Sequence, residues 1–202
     1  MTSRFKKENL TMDDRLTFEY NCCYEITIPD NKFHCFSIQD THKFIKTGSV
    51  FGKYSEQLLS TLFTNLELSK NDTTPYDLIN TDTHGKIELK SSGGTNIFNM
   101  GPAKMYGINR TYDYDEHLER YHTLEAYILC DKYDYPTIRI VPIPKYKIGC
   151  LRHIIVPSLT RSKFNRLTTF LETEHCYKKT KLIVSEDFEN LPLIEGFDGY
   201  ER

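Results

Sequence analysis

The sequence has no apolar run near the ~18 residues that a membrane-spanning helix needs, and its opening stretch, MTSRFKKENLTMDDR, lacks the apolar segment of a secretory leader. Membrane and exported classes are therefore not expected, and a cytoplasmic protein is. No Gly/Ser, Gln/Asn or single-sign charge tract interrupts the chain, and neither a Pro/Gly-rich linker nor a repeat of solenoid period divides it. The expectation is one domain over 1–202, with an N-terminal extension to about 48 and a core over about 50–185. A start at Met1 and a compact tail match a complete small protein. Six cysteines scattered over 202 residues are too few for a disulfide scaffold. Cys22-Cys23 and His34-Cys35 lack the spacing by which short loops close a zinc tetrahedron, so the thiols are read as free. No two of the seven histidines stand at H-x-x-x-H spacing, which disfavours a histidine-metal site.

What is present suits a packed core: 39% hydrophobic and 27% charged residues. The net charge of −2 hides an asymmetry. From Lys132 to Lys181 eleven lysines and arginines face three acids, a local charge of +8, while the remaining residues carry fifteen basic and twenty-five acidic groups. A cationic segment on an anionic chain points to a polyanionic partner or to a solubilising surface.

Hydrophobic periodicity orders the elements. Phe18 to Phe36 reads as a hairpin or two extended segments around the turn Pro29-Asp30-Asn31. Leu58, Leu59, Leu62, Phe63 and Leu66 place a buried stripe on a helix from about 52 to 68. Two alternating runs, 75–79 and 86–90, flank the turn 81–85 and read as paired antiparallel strands. A helix ending around Arg120 to His122, strands at 126–129 and 137–141, an amphipathic helix over 162–172 and a strand at 181–184 complete an α/β layered domain with a mixed central sheet flanked by helices.

Side chains alternate along a strand, so Glu88 and Lys90 share the face opposite Ile87 and Leu89. With Asp77 across the turn, two carboxylates and a lysine converge. Phosphodiester hydrolysis needs such a set: oxygen ligands for a cation that neutralises phosphate charge, and a lysine to orient water and balance developing charge. Alone, E-L-K is an ordinary solvent-facing strand motif; its company singles it out here.

P75-Y76-D77 followed by I87-E88-L89-K90 resembles the PD-(D/E)XK nuclease superfamily, over about residues 50–185, with Tyr76 separating the proline from the aspartate. The resemblance implies a restriction-endonuclease-like core of helix, three or more strands, helix and strand, with the second helix at 162–172. It also implies Mg²⁺, for which Mn²⁺ substitutes, held by Asp77, Glu88 and the main-chain carbonyl of Leu89. By the same resemblance Lys90 would be the catalytic lysine, and Glu56 on the preceding helix matches an accessory metal or lysine contact. The chain is most similar to a type II restriction endonuclease, which implies double-stranded DNA as substrate, 5′-phosphate products and a homodimer. Lys104, Arg110, Arg152, Arg161 and Lys163 are the expected nucleic-acid contacts. Cap-snatching RNA endonucleases of segmented negative-strand RNA viruses share the core and add an upstream histidine and a further lysine, for which His34 and Lys104 stand in suitable positions. A non-catalytic nucleic-acid-binding protein on this fold is the reading from another class.

Overall fold

The structure is a computed structural model and describes residues 6–10, 16–28, 48–70, 75–92, 97–101, 111–132, 134–147 and 150–184. In chain order its elements are β1 (Lys6–Leu10), β2 (Cys22–Thr27), α1 (Gly48–Leu62), β3 (Leu66–Leu68), β4 (Leu78–Asn80), β5 (Gly85–Ser91), β6 (Ile97–Asn99), α2 (Tyr114–Thr123), β7 (Ala126–Asp131), β8 (Thr137–Pro144), α3 (Leu151–Ile154), β9 (Ser158–Thr160), α4 (Arg161–Glu174) and β10 (Lys178–Val184). Eight strands form one mixed sheet in the order β1-β10-β2-β8-β7-β5-β4-β3, and β6 and β9 pair separately. The expected class, α/β with a mixed central sheet and helices, is what the chain adopts.

β7 reads AYILCD and is buried at every position, the pattern of a strand covered on both faces. It pairs antiparallel with β8 and parallel with β5. A parallel neighbour requires a crossover, and α2 lies in the connection between β5 and β7. α1 packs on β5 and β3. It buries Phe51, Leu58, Leu59 and Leu62 with Ile26, Ile87, Leu89, Ile128 and Ile140 from one face of the sheet. The other face carries Tyr127, Leu129, Val141 and Ile143, covered by Tyr121 of α2, by Phe164, Leu167 and Leu171 of α4, and by Phe98 of β6.

Four expectations need correction. The first helix begins at Gly48 and stops at Leu62, and Leu66 belongs to a strand. The cause is Asn65, whose side chain accepts from the Phe18 amide (2.7 Å) and donates to the Phe18 carbonyl (3.2 Å) and to Asp82 (3.0 Å). An asparagine engaged with a distant backbone leaves the helix rather than continuing it. The first strand of the pair spans only Leu78–Asn80, so Asp77 stands just ahead of it. Of the two readings of Phe18 to Phe36, an extended segment is found as β2 and the hairpin is not, because β10 and β8 occupy the two edges of β2; residues 29–47 lie outside the described residues. The amphipathic helix expected over 162–172 is α4 (Arg161–Glu174), but it follows the β7–β8 pair, and the helix in the connection that enters β7 is α2.

The five described cysteines are free, as expected, and all but Cys176 are buried. Among the described residues no helix is long and apolar enough to cross a membrane.

Candidate active site

The strand pair parts at Asp77, one residue ahead of the start of β4, while β5 continues. The Asp77 amide donates to the Ile87 carbonyl (3.0 Å) and its carbonyl accepts from Ser69 (2.9 Å), so its backbone is held between two neighbours. β4 begins at Leu78 opposite Ile87, which is too late to pair Leu89. Asp77 Oδ2 takes the Leu89 amide instead, at 2.7 Å. A carboxylate thus fills the place of a missing rung and is fixed in direction by it. The contact found at Leu89 is through its amide N–H.

β5 then presents Glu88 and Lys90 on the face away from α1, as alternation predicts. Lys90 Nζ donates to Glu88 Oε1 at 2.7 Å and to the Gly101 carbonyl at 3.3 Å. Glu88 Oε2 accepts from Arg120 Nη2 at 2.6 Å. Side-chain exposure is 5% for Glu88, 13% for Lys90 and 22% for Arg120, so Glu88 is the most buried of the three and Arg120 the most exposed.

Arg120 is a functional candidate that the sequence reading left unused. Its place follows from α2. Asp113 caps the helix by accepting from the Glu116 amide at 2.9 Å, and acids in the first turn with Arg120 and His122 in the last suit the helix dipole. His117 and Tyr121 are the buried positions, and Arg120 is three residues beyond His117 on the same side. A helical wheel begun at the Asp113 cap would have pointed Arg120 at the sheet. His117 is fully buried, its Nδ1 2.8 Å from the Tyr112 hydroxyl and its Nε2 3.1 Å from that of Tyr127. Burial first, and the charges of Lys90 and Arg120 next, hold its pKa down at about 4, so the ring is neutral at pH 7. Tyr127 stands opposite Glu88 in the β5–β7 register.

The electrostatics tie Glu56 to the group. It is 9% exposed on α1 and accepts from Lys53 at 3.1 Å. Burial first, then the charges of Asp77 and Glu88, push its pKa up to about 7 against the pull of Lys53. Burial and then Glu88 push Asp77 up to about 6, opposed by the Leu89 amide and Lys90. Glu56 and Asp77, each pushed up by burial and by a carboxylate neighbour, thus gather with Glu88 beside the cations Lys53, Lys90 and Arg120. As they stand, no three His, Cys, Asp or Glu side chains among the described residues are drawn together closely enough to grip an ion. Both Glu88 oxygens are instead held by cations. The donor set is oxygen only and fits a hard ion such as Mg²⁺ or Mn²⁺ in kind.

The expected nucleic-acid contacts divide. Arg161 Nη1 lies 2.7 and 2.9 Å from the two oxygens of Asp131, a residue 2% exposed, so it is committed to an internal ion pair. Arg152 and Lys163 are exposed. With Arg166 they depress the pKa of His153 after burial does, which shows three cations gathered at one place on α3 and α4. Lys104, Arg110 and His34 lie outside the described residues. Compared with protein-family models, curated proteins and solved structures, the chain matches none.

Proposed function

We propose that this chain is a divalent-metal-dependent nuclease that hydrolyses phosphodiester bonds of double-stranded DNA. The observation that carries the reading is the fork at Asp77: its carboxylate is pinned by the Leu89 amide next to a buried Glu88–Lys90 pair on the adjoining strand. Support also comes from the order around it, a helix, three antiparallel-paired strands, a crossover helix and a parallel strand, the order that the resemblance to the PD-(D/E)XK superfamily implies.

Asp77 and Glu88 would hold Mg²⁺ or Mn²⁺, with Glu56 as a further oxygen donor close by. The bound ion would neutralise phosphate charge and make water a better nucleophile. Asp77 needs no ordering at that moment, because Leu89 already fixes it. Lys90, held between Glu88 and the Gly101 carbonyl, is positioned to orient the attacking water and to offset negative charge on the phosphate. The cations Arg152, Lys163 and Arg166 would track the phosphate backbone and set orientation. Cutting both strands at a defined sequence, as a type II restriction endonuclease does, calls for two copies of a one-site chain, hence a homodimer.

The test is cleavage of long duplex DNA and of single-stranded RNA, in Mg²⁺ and in EDTA, by the unaltered chain and by Lys90→Ala, together with a Mn²⁺ titration of Asp77→Ala. Discrete DNA fragments are expected, lost in EDTA and reduced about 100-fold or more in Lys90→Ala. Mn²⁺ binding is expected to vanish in Asp77→Ala. RNA degradation with intact DNA would instead favour the cap-snatching type. Metal-independent binding without cleavage would leave a nucleic-acid-binding protein.

A further inference from the structure

Resting on the nuclease reading, we infer that Arg120 is an exchangeable counter-ion: it holds Glu88 until a divalent cation takes that carboxylate, and its guanidinium then grips a phosphate of the nucleic acid. The argument starts from occupancy. Glu88 can accept a divalent cation only if one of its two partners yields. Lys90 is tethered in the site by the Gly101 carbonyl as well as by Glu88 and is only 13% exposed, so it stays. Arg120 has Glu88 as its acceptor and, at 22%, is the more exposed of the two, with room to turn toward solvent. Arg120 is therefore the one that leaves.

What it does on leaving follows from its donors. Arg120 Nε is buried and has no hydrogen-bond partner among the described residues. A buried donor without an acceptor is unfavourable, and a guanidinium in that condition is a fork awaiting a second oxygen. Phosphate oxygens match the fork bidentately, which a carboxylate held through Nη2 alone does not exploit. The residue sits in the last turn of α2, a rigid element capped at Asp113 and packed by His117 and Tyr121 on Tyr127. The guanidinium would therefore swing from a fixed base between Glu88 and an incoming phosphate. Without such an exchange, the approaching dication and Arg120 would both press on one buried carboxylate, a repulsion strong at this burial.

The full chain is titrated with Mn²⁺ by calorimetry, and its affinity for a duplex is measured in Ca²⁺ at several salt concentrations, for the unaltered protein, Arg120→Ala and Arg120→Lys. Arg120→Ala is expected to bind Mn²⁺ about tenfold more tightly, since a competing cation is gone, yet to bind duplex about tenfold more weakly with a salt slope lowered by about one phosphate contact. Arg120→Lys should keep near-native Mn²⁺ affinity while losing part of the duplex affinity, because an ammonium lacks the fork. Arg120→Gln carries the alanine prediction if that variant fails to fold. A merely structural arginine would not tighten Mn²⁺ binding on removal. Mn²⁺ affinity unchanged or weakened in Arg120→Ala, or unchanged duplex affinity, overturns the exchange while leaving the nuclease reading intact. No Mn²⁺ binding by the unaltered chain overturns both.

Discussion

A carboxyl whose pKa is raised on folding keeps a proton that the unfolded chain has already released. Glu56, pushed up to about 7 from an ordinary value near 4.5, is such a group. Its ionisation makes the unfolded chain bind fewer protons than the native one between those values, so its contribution to stability falls as pH rises from about 4.5 to about 7 and is level above. Glu56→Gln removes that decline. The variant is expected to match the unaltered chain near pH 4 and to exceed it by about 1–3 kcal/mol at pH 8, read by urea denaturation at each pH. A gap that stays constant with pH would mean that Glu56 is not held at raised pKa by its buried neighbours. Gain of stability on removing an acid is what a functional site with crowded charges produces. That Glu56 is buried was only half legible: the helical wheel put it at the edge of the stripe, and the charges of Asp77 and Glu88 that act on it come from other elements.

α4 shows how an element overrides a residue-level expectation. Arg161 looked like one more cation in a basic stretch, but it opens the helix directly after β9, where its guanidinium meets Asp131 at the end of β7. Arg161→Ala would leave Asp131 buried without its partner, which is expected to cost about 3–5 kcal/mol of folding stability and to change duplex affinity far less than Lys163→Glu does. Equilibrium unfolding and a filter-binding titration of the two variants separate these roles; a stable Arg161→Ala chain with weakened duplex binding would reverse them. α2, in contrast, was legible at its end, since His122 closes the polar run before the apolar strand at Ala126. Its start depends on the Asp113 cap, and its partner depends on the crossover between β5 and β7.

Across the molecule the basic segment divides: Lys178, Lys179 and Lys181 pair with Glu19, Glu172 and Glu25, while Arg152, Lys163 and Arg166 come together at one place. If that cluster lies along a phosphate backbone, Lys163→Glu combined with Arg166→Glu should lower the slope of log affinity against log salt by roughly 2, with little dependence on duplex sequence. A slope that does not move would make the patch a solubilising surface. The charge asymmetry itself was plain from composition. Its division into an exposed cluster and an internal Arg161–Asp131 pair was not, because burial is a property of the assembled layers.

Local rules account for what the sequence by itself determined: free thiols, the buried stripe of α1, the turn between β4 and β5, and the shared face of Glu88 and Lys90, which follows from period-two alternation within a single strand. The last three depend on neighbours a few residues away, and the thiols on the number and scatter of the cysteines. The tertiary structure alone decided that β4 starts one residue after Asp77, so that a carboxylate takes the Leu89 amide. It also decided that β5 runs parallel to β7, so that α2 crosses over and sets Arg120 on Glu88, and that Asn65 reaches Phe18 and ends α1 early. Each of these joins residues twelve or more apart, and such pairings are chosen by which strands and helices become neighbours, a choice that periodicity along the chain does not record.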